Sequence, residues 1–201
     1  MMPELQSRDD IVIPFDRIGD PGWIEATRPI LQECVGISFD ADEMPPPVPE
    51  EDIVAAHRRL GAFPEPLALF YRTFGVADVG EYLLPPEEMK PLAESFADTE
   101  WMHANMSSKE LKILPDLVVF GDYLGNGNMF CFHRETMEVW YFDHDDPPML
   151  TRLFERVDDY LKGCLIKVQG VFFDDPDLGE RETDAILCDL FGKPVVLKWM
   201  Y

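Results

Sequence analysis

The sequence predicts an α+β fold, with a central, mostly antiparallel sheet flanked by helices. Two observations predict it. Apolar residues at helical spacing come before residue 75 and return after residue 148, whereas short runs rich in Val, Phe, Trp and Tyr, bounded by turn residues, fill 113–142. The order is helices, strands, helix and a short tail. It is not an alternating strand–helix series, so a parallel α/β sheet is disfavoured. The 201 residues suit one domain with additions, and 14 Phe and 4 Trp supply a packed core.

Residues 1–44 read as an N-terminal extension. Trp23, Ile30 and Leu31 suggest a short helix interrupted by Pro29. "FDADEMPPPVPEED" then combines acid and proline, which marks a linker or surface loop and a boundary near residue 45. "PEEDIVAAHRRLG" begins with acids that the helix dipole favours. Ile53, Ala56 and Leu60 share one face, and Gly61 suits the C-terminal cap. In "FPEPLALFYRTFG", proline opens a second helix with Leu67, Phe70, Tyr71 and Phe74 as its stripe, and Gly75 ends it. "EYLLPP" predicts a short strand, and "EEMKPLAESF" a partly helical stretch disturbed by Pro91.

"ILPDLVVFG", "NMFCFH" and "EVWYF" are the strands of a buried antiparallel sheet, the last two joined by the hairpin-length loop 134–137. "PPMLTRLFERVDDYLKG" has the clearest helical period. Leu150, Leu153, Phe154, Val157, Tyr160 and Leu161 match it, Pro148 can start it and Gly163 can cap it. The tail, 166–201, is expected to be a small α/β extension. "LIKVQGVFF" reads as a strand, "DDPDLGERETD" as an acidic loop, "DAILCDLFG" as a short helix and "PVVLKWMY" as a last strand or an apolar edge for self-association.

Charge bounds the partners. With 39 acidic and 17 basic residues the formal net charge is −22. Phosphate contacts need Lys or Arg to displace counterions, so free nucleic acid is an unsuitable ligand, and an anionic membrane surface is unsuitable for the same reason. A basic protein partner fits. The four cysteines, Cys34, Cys131, Cys164 and Cys188, form no Cys-x-x-Cys pair. "MMPELQSRDD" lacks the pattern of a secretory signal, and no apolar run approaches the roughly 18 residues of a membrane span, so a cytoplasmic chain is the expectation.

The search for chemistry centres on "VWYFDHDDPP". Asp143, His144, Asp145 and Asp146 are metal-ligand types, but they follow a strand and read as a turn with acids near a helix N-terminus. "GDYLGNGN" (121–128) is neither a Walker loop nor a dinucleotide fingerprint and reads as a turn needing positive φ. Ser107-Ser108 has no nucleophile elbow around it, and Cys131, flanked by Phe130 and Phe132, is a core thiol. No catalytic residue, metal or cofactor is expected, and the profile is that of a protein that acts by binding.

The order of elements resembles the SUKH superfamily, which includes the yeast cell-wall synthesis regulator and many bacterial immunity proteins. The likeness rests on Leu60-Gly61, on Phe63-Pro64 leading the aromatic helix through Phe70, Tyr71 and Phe74, on "LVVFGDYLGNGNMFCFH" and "VWYFDHDDPP", and on the closing helix. Phe74-Gly75 stands where the family usually has Asn-Gly. The resemblance covers about 45–165 and implies a single SUKH-like core domain between the two extensions. It also implies that the Asp-His-Asp segment ends a core strand with no catalytic role. Many bacterial members neutralise toxins, often nucleases or deaminases, by direct binding, so an immunity protein for a basic toxin domain is the leading expectation. A regulatory or scaffold protein of cell-envelope synthesis is the alternative, and a metal-dependent hydrolase using Asp143 and His144 is the third. For a binding face, charge density points to Asp143, His144, Asp145 and Asp146, then to Asp174, Asp175, Asp177 and Glu180.

Overall fold

The computed structural model describes residues 5–37, 43–96, 99–123 and 125–200; residues 39–42 of the predicted linker, Leu124 of the Gly-rich turn and the terminal Tyr201 lie outside them. Strands β3 (Leu117–Tyr123), β4 (Asn128–His133), β5 (Val139–Phe142) and β6 (Leu150–Phe154) form an antiparallel meander. Two dipeptide strands, β1 (Tyr82–Leu83) and β2 (Lys90–Pro91), share the outer edge of β3. Every pairing in the sheet is antiparallel, so the predicted α+β architecture stands.

The strand runs are apolar without alternation because both faces are covered. Val118, Phe120, Phe130, Phe132, Val139 and Tyr141 enter the main core. Leu117, Val119, Cys131, Phe142 and Leu150 enter a second cluster with Leu92, Met102, Met106 and Leu114. A bulge in β3 sets Val119 opposite Cys131 and Gly121 opposite Phe130, with Phe120 as the extra residue. The bulge brings Gly121 against its neighbours: a Cβ there would lie 3.3 Å from Tyr160 Oη.

The helices over the main core begin with α1 (Trp23–Ile37), α2 (Glu50–Leu60) and α3 (Glu65–Phe74). Ile53, Ala56 and Leu60 of α2 and Leu67, Phe70, Tyr71 and Phe74 of α3 are buried as their spacing predicts. Gly61 is left-handed at φ 80°. Gly75 is needed twice over: its φ is +68°, and a Cβ would lie 2.2 Å from Pro46 O. The proline-rich segment is thus packed on the end of α3, where Val48 N–H donates to Tyr71 O at 2.9 Å. On the other face, α4 (Thr99–Asn105) and α5 (Glu110–Ile113) close the second cluster.

Five local expectations are corrected. The helix placed from Leu150 is β6 followed by α6 (Val157–Lys167), and Gly163 lies inside α6 instead of capping it. Leu150, Leu153 and Phe154 suit either period, and pairing with β5 (Phe142 opposite Leu150, Trp140 opposite Arg152) settles it. The expected strand "LIKVQGVFF" is the end of α6 and a 3-10 turn, Val168–Phe172. The acidic loop and short helix are one helix, α7 (Pro176–Phe191), and the expected last strand is α8 (Lys193–Met200). The tail is therefore helical: tertiary packing overrides the β-branched and aromatic preference. It joins the main core through Ile186, Leu187, Val196 and Trp199, the last 1% exposed and packed edge-on against Phe154 at 5.4 Å. Finally, α1 runs through Pro29 unbroken.

The start of the chain is tied in by buried polar groups. Gln169 accepts from Val12 N–H and donates to Val12 O, both at 2.8 Å, as a neighbouring strand would. Asp158 accepts from Ile18 N–H at 2.9 Å.

Candidate functional site

The Asp-His-Asp segment begins where β5 ends. Asp143 Oδ1 accepts from the N–H groups of Asp145 and Asp146 at 3.0 and 3.2 Å, which closes the turn on itself. Its Oδ2 lies 2.6 Å from Nζ of Lys198 on α8, and the same ammonium reaches Asp146 O at 3.3 Å. His144 points the other way. Asn128 Oδ1 accepts from His144 N–H at 3.0 Å and from its Nδ1 at 2.7 Å, while Asn128 Nδ2 donates to Tyr141 Oη at 3.0 Å. Because Oδ1 already takes a backbone N–H, the proton of the second contact belongs to Nδ1. The imidazole lies over Gly127, where a Cβ would be 3.4 Å from the ring.

This is a structural knot joining the ends of β4 and β5 to α8. Burial works against the Asp143 charge, yet Lys198 and the two backbone N–H groups outweigh it and hold the pKa below the ordinary carboxylate value of 3.8. A folded-state pKa below the unfolded one adds stability that is present above the unfolded value and lost as pH falls through the folded value. Asp143→Asn keeps an acceptor for the turn but loses the charge. It should cost about 1.5–3 kcal/mol at neutral pH. The gap from wild type, followed by urea unfolding, should narrow as pH drops below about 4; a gap independent of pH would refute the pairing.

The hydrolase reading needs Asp143 as a ligand, but both its oxygens are already engaged. Among the described residues no group of three His, Cys, Asp or Glu side chains is placed to hold a metal ion. Of the second acidic set, Asp175 caps α7, its Oδ1 accepting from Asp177 and Leu178 N–H at 3.1 and 3.3 Å. Asp177 lies in the first turn of α7, where the dipole favours acid, and Glu180 follows it on the same helix. The two sets sit on different elements, one at the sheet end held by α8 and one at the head of α7.

The remaining candidates are structural too. Ser107 N–H donates to Glu110 Oε2 at 2.7 Å and Glu110 N–H to Ser107 Oγ at 3.3 Å, the reciprocal pair of a capping box. Glu110 Oε1 accepts from Leu150 N–H at 3.0 Å, pinning α5 to β6. Complete burial pushes the Cys131 thiol far up, and burial takes Cys34 to about 12, so neither is a thiolate at neutral pH.

Charge density did not point to one further feature. A cleft of about 810 Å³ opens beside β1, between the segment after α3 and the β3–β4 turn. Asp78, Tyr82, Leu83 and Asp122 line it, and Tyr82 is 60% exposed. Its signal in the sequence was weak: a tyrosine on a two-residue strand between prolines and glycines.

The fold and these contacts define an α+β meander domain, covered on both sheet faces, whose Asp-His-Asp segment serves as a turn cap. A sequence model of the SMI1 / KNR4 family (SUKH-1) matches residues 47–163, more than half of the chain. The chain belongs to that family, whose members are immunity proteins or cell-wall regulators and are generally non-catalytic. No curated protein matches the sequence. No helix among the described residues is long and apolar enough to cross a membrane.

Proposed function

We propose that the protein is a non-catalytic immunity protein that neutralises a basic toxin domain by direct binding. The observation that carries this reading is a net charge of −22 on a chain of this family. That charge already counts the 17 cations, and several of them are tied up within the chain. Arg8, Arg72, Arg152, Arg156, Lys167 and Lys198 are each paired with a carboxylate of the chain itself. Such a surface competes for the cationic track that a nuclease or deaminase offers to phosphates, and it accelerates encounter at low salt.

The test is a viability count with the neighbouring gene expressed in a bacterium, with and without this chain. Killing by the neighbour and rescue by this chain is the expected result. Association of the purified pair should slow as salt rises, since screening shortens the reach of the field to about 8 Å at physiological ionic strength. A neighbour that is harmless, or that kills in the presence of this chain, overturns the pairing. The regulatory reading, supported by the same family, then predicts a morphology or envelope-stress phenotype on deletion.

A further inference from the structure

We infer that the cleft beside β1 is where the basic partner docks, by inserting an arginine-bearing segment that stacks on Tyr82 and pairs with Asp78 and Asp122. The inference rests on the binding reading and moves the contact away from both acidic sets singled out in the sequence. Tyr82 and Asp122 are direct cross-strand partners in β1 and β3, so their side chains stand side by side on one face of the sheet. Asp122 Oδ1 accepts from Gly125 N–H at 2.8 Å, and Asp78 Oδ1 from Gly80 N–H at 2.7 Å. Each carboxylate is thereby held in place by its own turn, with its second oxygen left for an outside donor.

Glu43 adds charge at the rim. Glu81 also lines the cleft, but its carboxylate turns inward to Lys167 at 2.8 Å, so it contributes field and not contact. Among the described residues lining the cleft there is no Lys or Arg, and Val76 and Leu83 give it an apolar wall. A space of this size takes a few residues of a partner chain. Arginine suits it better than lysine. Its planar fork meets carboxylates in defined geometry, stacks on an aromatic face, and is more weakly hydrated than an ammonium. The Asp143 turn has no comparable vacancy because Lys198 occupies it.

The experiment is a titration of the isotopically labelled full chain, followed by backbone amide shifts at physiological ionic strength. The probes are a blocked tri-arginine peptide and its tri-lysine counterpart. Shifts should concentrate in residues 76–85 and around Asp122, with the arginine peptide bound more tightly. Tyr82→Ala should weaken the arginine peptide about two- to fivefold, and Asp78→Asn with Asp122→Asn should weaken it further. These variants should fold, since Tyr82 is exposed and asparagine keeps both turn acceptors. Shifts spread over the whole acidic surface, or centred on 143–146 or 174–180, would overturn the inference, as would equal binding of both peptides with no effect of Tyr82→Ala. Docking of the peptide in the cleft without rescue from any neighbouring toxin leaves the arginine site standing and removes the immunity reading. Rescue by Tyr82→Ala at wild-type strength removes the site and leaves the immunity reading.

Discussion

Trp199→Ala should lower stability by about 3–5 kcal/mol, the usual cost of truncating a buried aromatic residue to alanine. The ring is 1% exposed and packs against β6 and α6. It meets Phe154 of β6 edge-on at 5.4 Å and Tyr160 of α6 at 6.3 Å. It presses on α6 where residue 163 is glycine; a Cβ there would lie 2.9 Å from the indole. The Lys167 ammonium sits 5.3 Å above its centre. For a chain of this length the loss corresponds to a fall of about 6–20 °C in the thermal midpoint. Trp199 lies outside the residues that the family shares. A full effect would make α8 an integral part of this domain's core; a loss below about 1 kcal/mol would make it an appendage.

Gly179→Ala should also destabilise strongly, although helix propensity argues the opposite. Alanine gains about 1 kcal/mol over glycine within a helix. Here the new Cβ would lie 2.1 Å from Gly170 O and 2.9 Å from Gly170 C. Those obstacles are backbone, so α7 and the 3-10 turn must separate. Such overpacking costs about 1–3 kcal/mol or more, and the clash wins. Gly170→Ala is the graded control, because its Cβ would meet the same neighbour at 3.3 Å. Denaturant midpoints should order wild type, Gly170→Ala, Gly179→Ala from most to least stable. A neutral Gly179→Ala would show that the two glycines do not touch.

Strands β4 and β5 were legible because burial on both faces removes every polar interruption from Met129–Phe132 and Val139–Phe142. Helices α2 and α3 were legible from caps and period together. The stretch 150–154 was not, because its apolar spacing serves a strand as well as a helix and only the register with β5 separates them. The helical tail is not legible locally, because its aromatic and β-branched residues favour strand, whereas here they are packing groups on helices. In the site, the turn role of Asp143 was visible from Asp-Asp-Pro-Pro. Lys198 was not, since nothing local marks a partner 55 residues away. Two caps have plain local signatures: Asp175-Pro176, a cap followed by proline at the first helical position, and Ser107 with Glu110 three residues on.

The split edge of the sheet has a consequence for the protein in bulk. An exposed strand edge invites another chain to pair with it, and long flat edges seed aggregation. Here the edge beside β3 offers two separate dipeptides, and one of them is Lys90-Pro91, a charge followed by a residue with no N–H. The C-terminal segment that read as an apolar edge is a helix whose Trp199 is turned into the core. Neither offers a continuous template for fibre growth, so neither should seed pairing between copies of the chain at high concentration.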